Sequence, residues 1–483
     1  MRPAVVAKVL SLLCAIVSLF MVFPILWSLA DGSGDLFPLL WGMGAGLGVS
    51  ALLFVVGSKA KVGDLGLREA FAVVSLSWVL ASAIAGIPYL LNGTVPTYTE
   101  AFFEAMSGFT TTGATVLTDI QSNPRGILFW RDLTQWLGGM GIIVLSLAVL
   151  PFLKVGGMQL YKAEVPGPMP EKITPRVHQT ALLLWGVYLL LSLLQTSALL
   201  LGGMSLFESL THTFGTMATG GFSPLNRSIG QYGNAYFEWV IILFMFLAGT
   251  NFVLHFLLLR GDLGAWWRNE EFRFYVKLLA VAILLAAAFL FSSGTYEKLS
   301  DSIRYGAFQV VSIVTTTGFV TADFGLWPNF LQYLLLLLMF VGGCAGSTVG
   351  GIKSMRIMVL VKHVKAELQR LLHPRAIFTV RIGGKVLERE VISSVTAFFV
   401  MYIGLFALAA MAMAALGLDV LTAIASAAAA IGNIGPALGS VGPSSNYAHV
   451  PAAGKWILSF CMLLGRLEIY TVMMLFLPGT WRR

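Results

Sequence analysis

Long apolar runs alternate with short polar punctuation along this chain, and ten of the runs approach the roughly 20 residues a helix needs to cross the hydrocarbon core. Helices at 9–30 and 39–57 form a leading pair, joined by Asp31-Gly-Ser-Gly-Asp35 and closed by Lys59, Lys61 and Arg68. One grammar then repeats four times: a spanning helix, a segment too short to span, a glycine turn, and a second spanning helix. The short segments fall at 99–109, 205–217, 300–314 and 419–431, and the closing helices at about 126–152, 235–260, 328–351 and 453–478. Thr99-Glu100, Ser205 with Glu208, Ser300-Asp301 and Asp419 open the short segments, as suits helix N-termini with free N–H groups and a positive dipole end. The expected organisation is a pair at 1–60 and four units at 69–155, 175–262, 272–372 and 388–481, giving an all-α polytopic membrane protein with ten transmembrane helices and four pseudo-repeats around one pore.

Composition supports this reading. The chain is 57% hydrophobic and 11% charged, against about 25% charged in soluble domains, so it is an integral membrane protein without room for a sizeable soluble domain. The apolar run within 1–27 is too long for a signal peptide and reads as a retained helix. Net charge is +8, but its distribution points to membrane lipid rather than nucleic acid. Lys154, Lys162, Lys172, Arg176, Arg260, Arg268, Arg273, Lys277 and the basic stretch 353–389 fall on one side; Asp31, Asp35, Asp119, Glu238, Glu297 and Asp323 fall on the other. The positive-inside rule makes the basic side cytoplasmic and puts both termini there. Cys14, Cys344 and Cys461 show no paired spacing, and no metal-ligand cluster appears.

The four turns carry the chemistry. They read Thr111-Thr112-Gly113, Thr219-Gly220, Thr316-Thr317-Gly318 and Asn433-Ile434-Gly435. A cation leaving water must have its hydration replaced, and peptide carbonyls do this without burying a fixed charge. Glycine reaches positive φ cheaply, so consecutive carbonyls can turn toward one axis. Each short helix ends at its turn, and its C-terminal end carries about half a negative charge toward the ion. Close helix packing through small residues is the plainer reading, but it does not explain a short capped helix before every turn.

The chain resembles the Trk/Ktr/HKT superfamily of potassium transporters, within it the TrkH/TrkG-type membrane subunits of bacterial Trk uptake systems. The residues that carry this are 107–115 around Thr111-Thr112-Gly113, 135–143 (Gln135-Trp-Leu-Gly-Gly-Met-Gly-Ile-Ile143), 156–161, 342–348 and Gly465-Arg-Leu-Glu468. The resemblance implies potassium uptake across the bacterial inner membrane, K+ as the transported ion at the filter residues with no organic cofactor, a homodimer with one pore per protomer, and a cytoplasmic nucleotide-binding TrkA-like subunit. It also implies filter glycines at Gly113, Gly220, Gly318 and Gly435. Only one glycine is common to all four turns, and the fourth replaces threonine with Asn433-Ile434, so the filter is expected to be looser than one carrying a second glycine in every copy.

Two features suggest a gate. Gly342, Gly343, Gly346, Gly350 and Gly351, with Ser347 and Thr348, interrupt the third closing helix; glycine costs a helix about 1 kcal/mol each, and only this closing helix is expected to break. The interruption reads as an intramembrane loop beneath the filter, with a plain kink as the alternative; the resemblance implies that such a loop is a gate obstructing the ion path. Arg466 is a charge at membrane depth and must face a cavity or partner: either it lines the inner cavity against loop carbonyls, or it pairs with an acid such as Glu468. A proton- or sodium-coupled symporter remains an alternative to a channel-like pore. An intramembrane enzyme has little support, since no histidine is spaced to serve Ser347 as a base.

Overall fold

The computed structural model describes residues 1–60, 66–141 and 177–481. Lys61, the basic residues Lys154 to Arg176, the 156–161 motif and the second half of the first closing helix lie outside the described residues.

Six described helical runs are long and apolar enough to cross a membrane: Pro3–Asp31, Leu36–Gly57, Arg68–Leu91, Gln179–Leu201, Glu270–Ser292 and Arg389–Ala415. Two further candidates are bent pairs, Ala235–Ala248 with Phe252–Leu259 at 99° and Ala452–Arg466 with Tyr470–Phe476 at 112°. Their large exposed residues, such as Trp41, Val55, Leu193, Leu284 and Met411, are those a lipid-facing surface requires. The leading helices pack through small residues. A Cβ on Gly46 would lie 2.1 Å from Ser18 Oγ, so glycine sets how closely Leu36–Gly57 approaches Pro3–Phe20.

The four short helices are Tyr98–Phe109, Leu206–Met217, Leu299–Val314 and Val420–Gly432, within about one residue of expectation. Three are capped as their sequences dictate: Thr97 accepts from Glu100 N, Ser205 from Glu208 N, and Asp419 from Thr422 N. The first cap is Thr97 rather than Thr99. Ser300 does not cap the third helix, whose N-cap is Lys298 without a side-chain bond; Asp301 pairs with Arg304 instead.

The closing helices correct the sequence reading. Besides the expected interruption in the third, which ends at Leu338 and resumes at Ser354, the second breaks after Ala248 and the fourth after Arg466; of the first, the described part is Arg125–Gly139. The break in the fourth puts Glu468 and Ile469 at φ +54° and +59°. A β-branched residue in that region is held only by its surroundings.

Candidate functional site

Each short helix terminates in the same backbone device. The second residue after the helix, or the first in the fourth unit, takes a positive φ, and the second residue beyond it does so again: Thr111 and Gly113 (φ 52° and 79°), Thr219 and Gly221 (54° and 73°), Thr316 and Gly318 (52° and 77°), Asn433 and Gly435 (56° and 91°). Between them, the N–H groups of Thr112, Gly220, Thr317 and Ile434 bond back to Ser107 O, Gly215 O, Ser312 O and Ala429 O at 2.8, 2.8, 2.8 and 2.9 Å. This is the 6→1 bond of a Schellman motif, but with threonine or asparagine where glycine is usual. Each threonine forgoes about 1–2 kcal/mol to sit there, a strain that persists only where the surrounding structure holds it.

The repeat also corrects one register. The left-handed glycine of the second turn is Gly221; Gly220 occupies the position of Thr112, Thr317 and Ile434. The sequence reading was one residue early because Gly220 and Gly221 are adjacent.

The turns close on one another. A Cβ on Gly113 would lie 2.1 Å from Gly220 O, on Gly221 2.0 Å from Thr317 O, on Gly318 2.0 Å from Ile434 O, and on Gly435 2.5 Å from Thr112 O. Each glycine is therefore required by the next turn's carbonyl, and the fourth turn returns to the first. Asn433 Nδ2 strengthens that last junction by donating to Thr112 Oγ1 at 3.0 Å.

The glycine-rich segment lies against the helix-side ends of the turns. Its ends are tied by a short parallel pair, Val341–Gly342 with Ile352–Lys353, and by Ser354 N to Gly343 O and Ser354 Oγ to Gly342 O at 2.9 and 2.8 Å. It docks on the break in the second closing helix, where Cys344 N donates to Gly249 O at 2.9 Å and Phe252 N to Gly346 O at 3.0 Å. Buried Glu271 accepts from Ala345 N and Met355 N at 2.7 and 3.0 Å. Three contacts reach the turns: Thr219 Oγ1 to Thr348 Oγ1 at 3.3 Å, Gly350 N to Thr316 Oγ1 at 3.0 Å, and a Gly350 so close to Asn433 that a Cβ would lie 2.9 Å from the asparagine's own. Ser347 Oγ turns inward to Cys344 O at 2.5 Å and Gly351 takes φ +67° at the exit.

Arg466 grips this segment. Its Nη1 donates to Thr348 O at 2.5 Å, and its Nη2 to Gly138 O and Gly139 O, each at 2.6 Å. The last two are terminal carbonyls of Arg125–Gly139, a favourable seat for a cation. Glu468 pairs instead with Lys353 at 2.9 Å and with Arg356.

Other buried polar residues were missed from sequence. Arg131 Nε meets Glu104 Oε1 at 2.7 Å, both essentially inaccessible, and its guanidinium lies 3.5 Å from the Phe222 ring centre. Glu104 also accepts from Thr115 Oγ1 and Val116 N, and Arg131 donates to Ser223 O. The pair thus ties down the irregular segments leaving the first two turns. Gln135 holds Gly220 O and Phe222 N, and Tyr447 donates to Gly435 O at 2.7 Å. Charged residues inside apolar helices were the available signal.

A helical chain with this many apolar membrane-length helices, gathering four backbone turns into one closed ring, has the architecture of a membrane transport protein. The pattern that defines the TrkH family, described as cation transport protein, matches residues 49–480, and this chain belongs to that family. It is 40% identical, over 99% of both chains, to the Trk system potassium uptake protein TrkH of Escherichia coli K12, and 41% identical over the full length of both to that of Halomonas elongata. It is 38% identical to TrkG of Escherichia coli K12 over 86% of each. The crystal structure of the potassium transporter TrkH from Vibrio parahaemolyticus superposes with a TM-score of 0.90 at 36% identity, covering all of both chains. These relatives are named as transporters, not enzymes.

Proposed function

We propose that this chain is the potassium-conducting membrane subunit of a Trk-type uptake system. One observation carries the reading: in a chain of this family, four left-handed turns at the ends of four short helices pack carbonyl to glycine in a closed ring. K+ would be stripped of water at carbonyls of Thr111, Thr112, Gly113, Thr219, Gly220, Gly221, Thr316, Thr317, Gly318, Asn433, Ile434 and Gly435, with four helix C-termini adding negative potential. The ring belongs to four helix–short helix–turn–helix units with the boundaries 69–155, 175–262, 272–372 and 388–481, beside a leading pair at 1–60; ten spans and two cytoplasmic termini complete the layout in the inner membrane.

The segment 342–351 is the gate in this reading, held across the conduction path by Arg466, whose charge also opposes a passing cation. A homodimer and a nucleotide-binding TrkA-like partner on the basic face complete the system in this reading; the relatives' names, as parts of a Trk system, support the presence of partner subunits. The test is flux through purified protein in liposomes. Gly113→Ser and Gly318→Ser are expected to change the rubidium, potassium and sodium rates; wild-type rate and selectivity in both would remove the filter assignment.

A further inference from the structure

The position before each left-handed glycine holds Thr112, Gly220, Thr317 and Ile434, so the second turn alone has no side chain there. Thr112 and Thr317 brace their turns from within, their hydroxyls 2.8 Å from those of Thr110 and Thr315. In the second turn the space is filled from another element. A Cβ on Gly220 would lie 2.5 Å from Gln135 Cδ and 2.8 Å from both Nε2 and Oε1. Gln135 is fully buried on helix Arg125–Gly139, donates to Gly220 O at 2.6 Å, and accepts from Phe222 N at 2.9 Å.

We infer that Gln135 is a specificity-determining positioning residue: its carboxamide stands in for the missing side chain of the second turn and fixes the direction and field of the Gly220 carbonyl. Gly220 O abuts Gly113 of the first turn, so the clamp sets a junction of the ring as well as one turn. The amide donor competes with a bound cation for that oxygen, which makes this carbonyl a weaker ligand than its three counterparts. Glycine at 220 and glutamine at 135 are therefore one unit; neither fits without the other.

This inference rests on the filter reading. The experiment compares 22Na+ and 86Rb+ flux in liposomes holding the full chain. Gln135→Ala is expected to raise the sodium-to-rubidium flux ratio several-fold, because the carbonyl loses both its donor and its wall. Gln135→Met, which keeps the volume and the fold but not the donor, is expected to raise it too. Gly220→Thr alone should lose flux by collision with Gln135, and Gln135→Ala with Gly220→Thr, which rebuilds the side-chain pattern of the first and third turns, should recover rubidium flux above Gly220→Thr. A wild-type ratio in both Gln135 variants, or a double variant no better than Gly220→Thr, overturns the inference. Gly318→Ser separates the two readings: if it alters the ratio while the Gln135 variants do not, the ring stands and the role of Gln135 falls.

Discussion

Arg466→Ala is the sharpest test of the gate. Among the described residues the arginine donates charge-assisted bonds to three carbonyls: the one to Thr348 O joins it to the segment below the ring, and the two to Gly138 O and Gly139 O hold the arm in place. A hydrogen bond to a charged group contributes about 1.5–3 kcal/mol, and each 1.4 kcal/mol is about tenfold in an equilibrium. The guanidinium is half-buried, so the lower end applies. Loss of the latch should raise the open population about tenfold, and loss of the positive charge lowers the barrier to cations in the same direction. The assay is 86Rb+ uptake into proteoliposomes holding the chain without its regulator. Arg466→Lys separates the two effects: it keeps the charge but not the fork that reaches three carbonyls, so its flux should fall between wild type and Arg466→Ala. Wild-type or reduced flux in a monodisperse Arg466→Ala protein would refute the latch.

Other consequences follow from the same contacts. Gly113→Ser and Gly318→Ser place a Cβ about 2 Å from the next turn's carbonyl at a φ near +80°, so both should lose K+ over Na+ discrimination in flux assays, and Gly221→Ser should do so as well. Thr316→Val removes the acceptor for Gly350 N and keeps the side-chain shape, so it should loosen the gate by about 1 kcal/mol and raise rubidium flux less than Arg466→Ala does. Glu104→Gln neutralises the carboxylate 2.7 Å from buried Arg131 and leaves it with Asp132 at 3.8 Å, a loss approaching the roughly 3–5 kcal/mol of a broken buried pair that should lower the temperature at which the detergent-solubilised protein loses monodispersity. Pairing it with Arg131→Met should restore much of that temperature.

The short helices were legible because local chemistry determines them. A capping side chain, such as Ser205 ahead of Glu208, opens three of the four, and a glycine turn closes every one. The ring was legible as four recurrences, but its register in the second turn was not: Gly220-Gly221 offers two glycines, and only packing against Thr317 O selects the second. The breaks after Ala248 and Arg466 escaped because the apolar runs continue through them. They exist through tertiary contacts, namely the docking of Cys344 and Gly346 on the first and the pairing of Glu468 with Lys353 and Arg356 at the second. Arg466 announced itself as a charge in an apolar helix, whereas its partners are backbone carbonyls from distant segments, which no side-chain pattern encodes. Gln135 was visible as part of a motif, but its role depends on the absent side chain of Gly220, a relation only three dimensions reveal.

The central claim is that the ring of four turns passes K+ down its own gradient. Current through the reconstituted chain, or through Arg466→Ala where wild-type current is too small, tests it most directly. The account predicts a reversal potential that follows the K+ Nernst potential as K+ is varied and does not move when the proton gradient is changed. A reversal potential that shifts with the proton gradient, or that moves with Na+ as a coupled second ion at fixed K+, would contradict it.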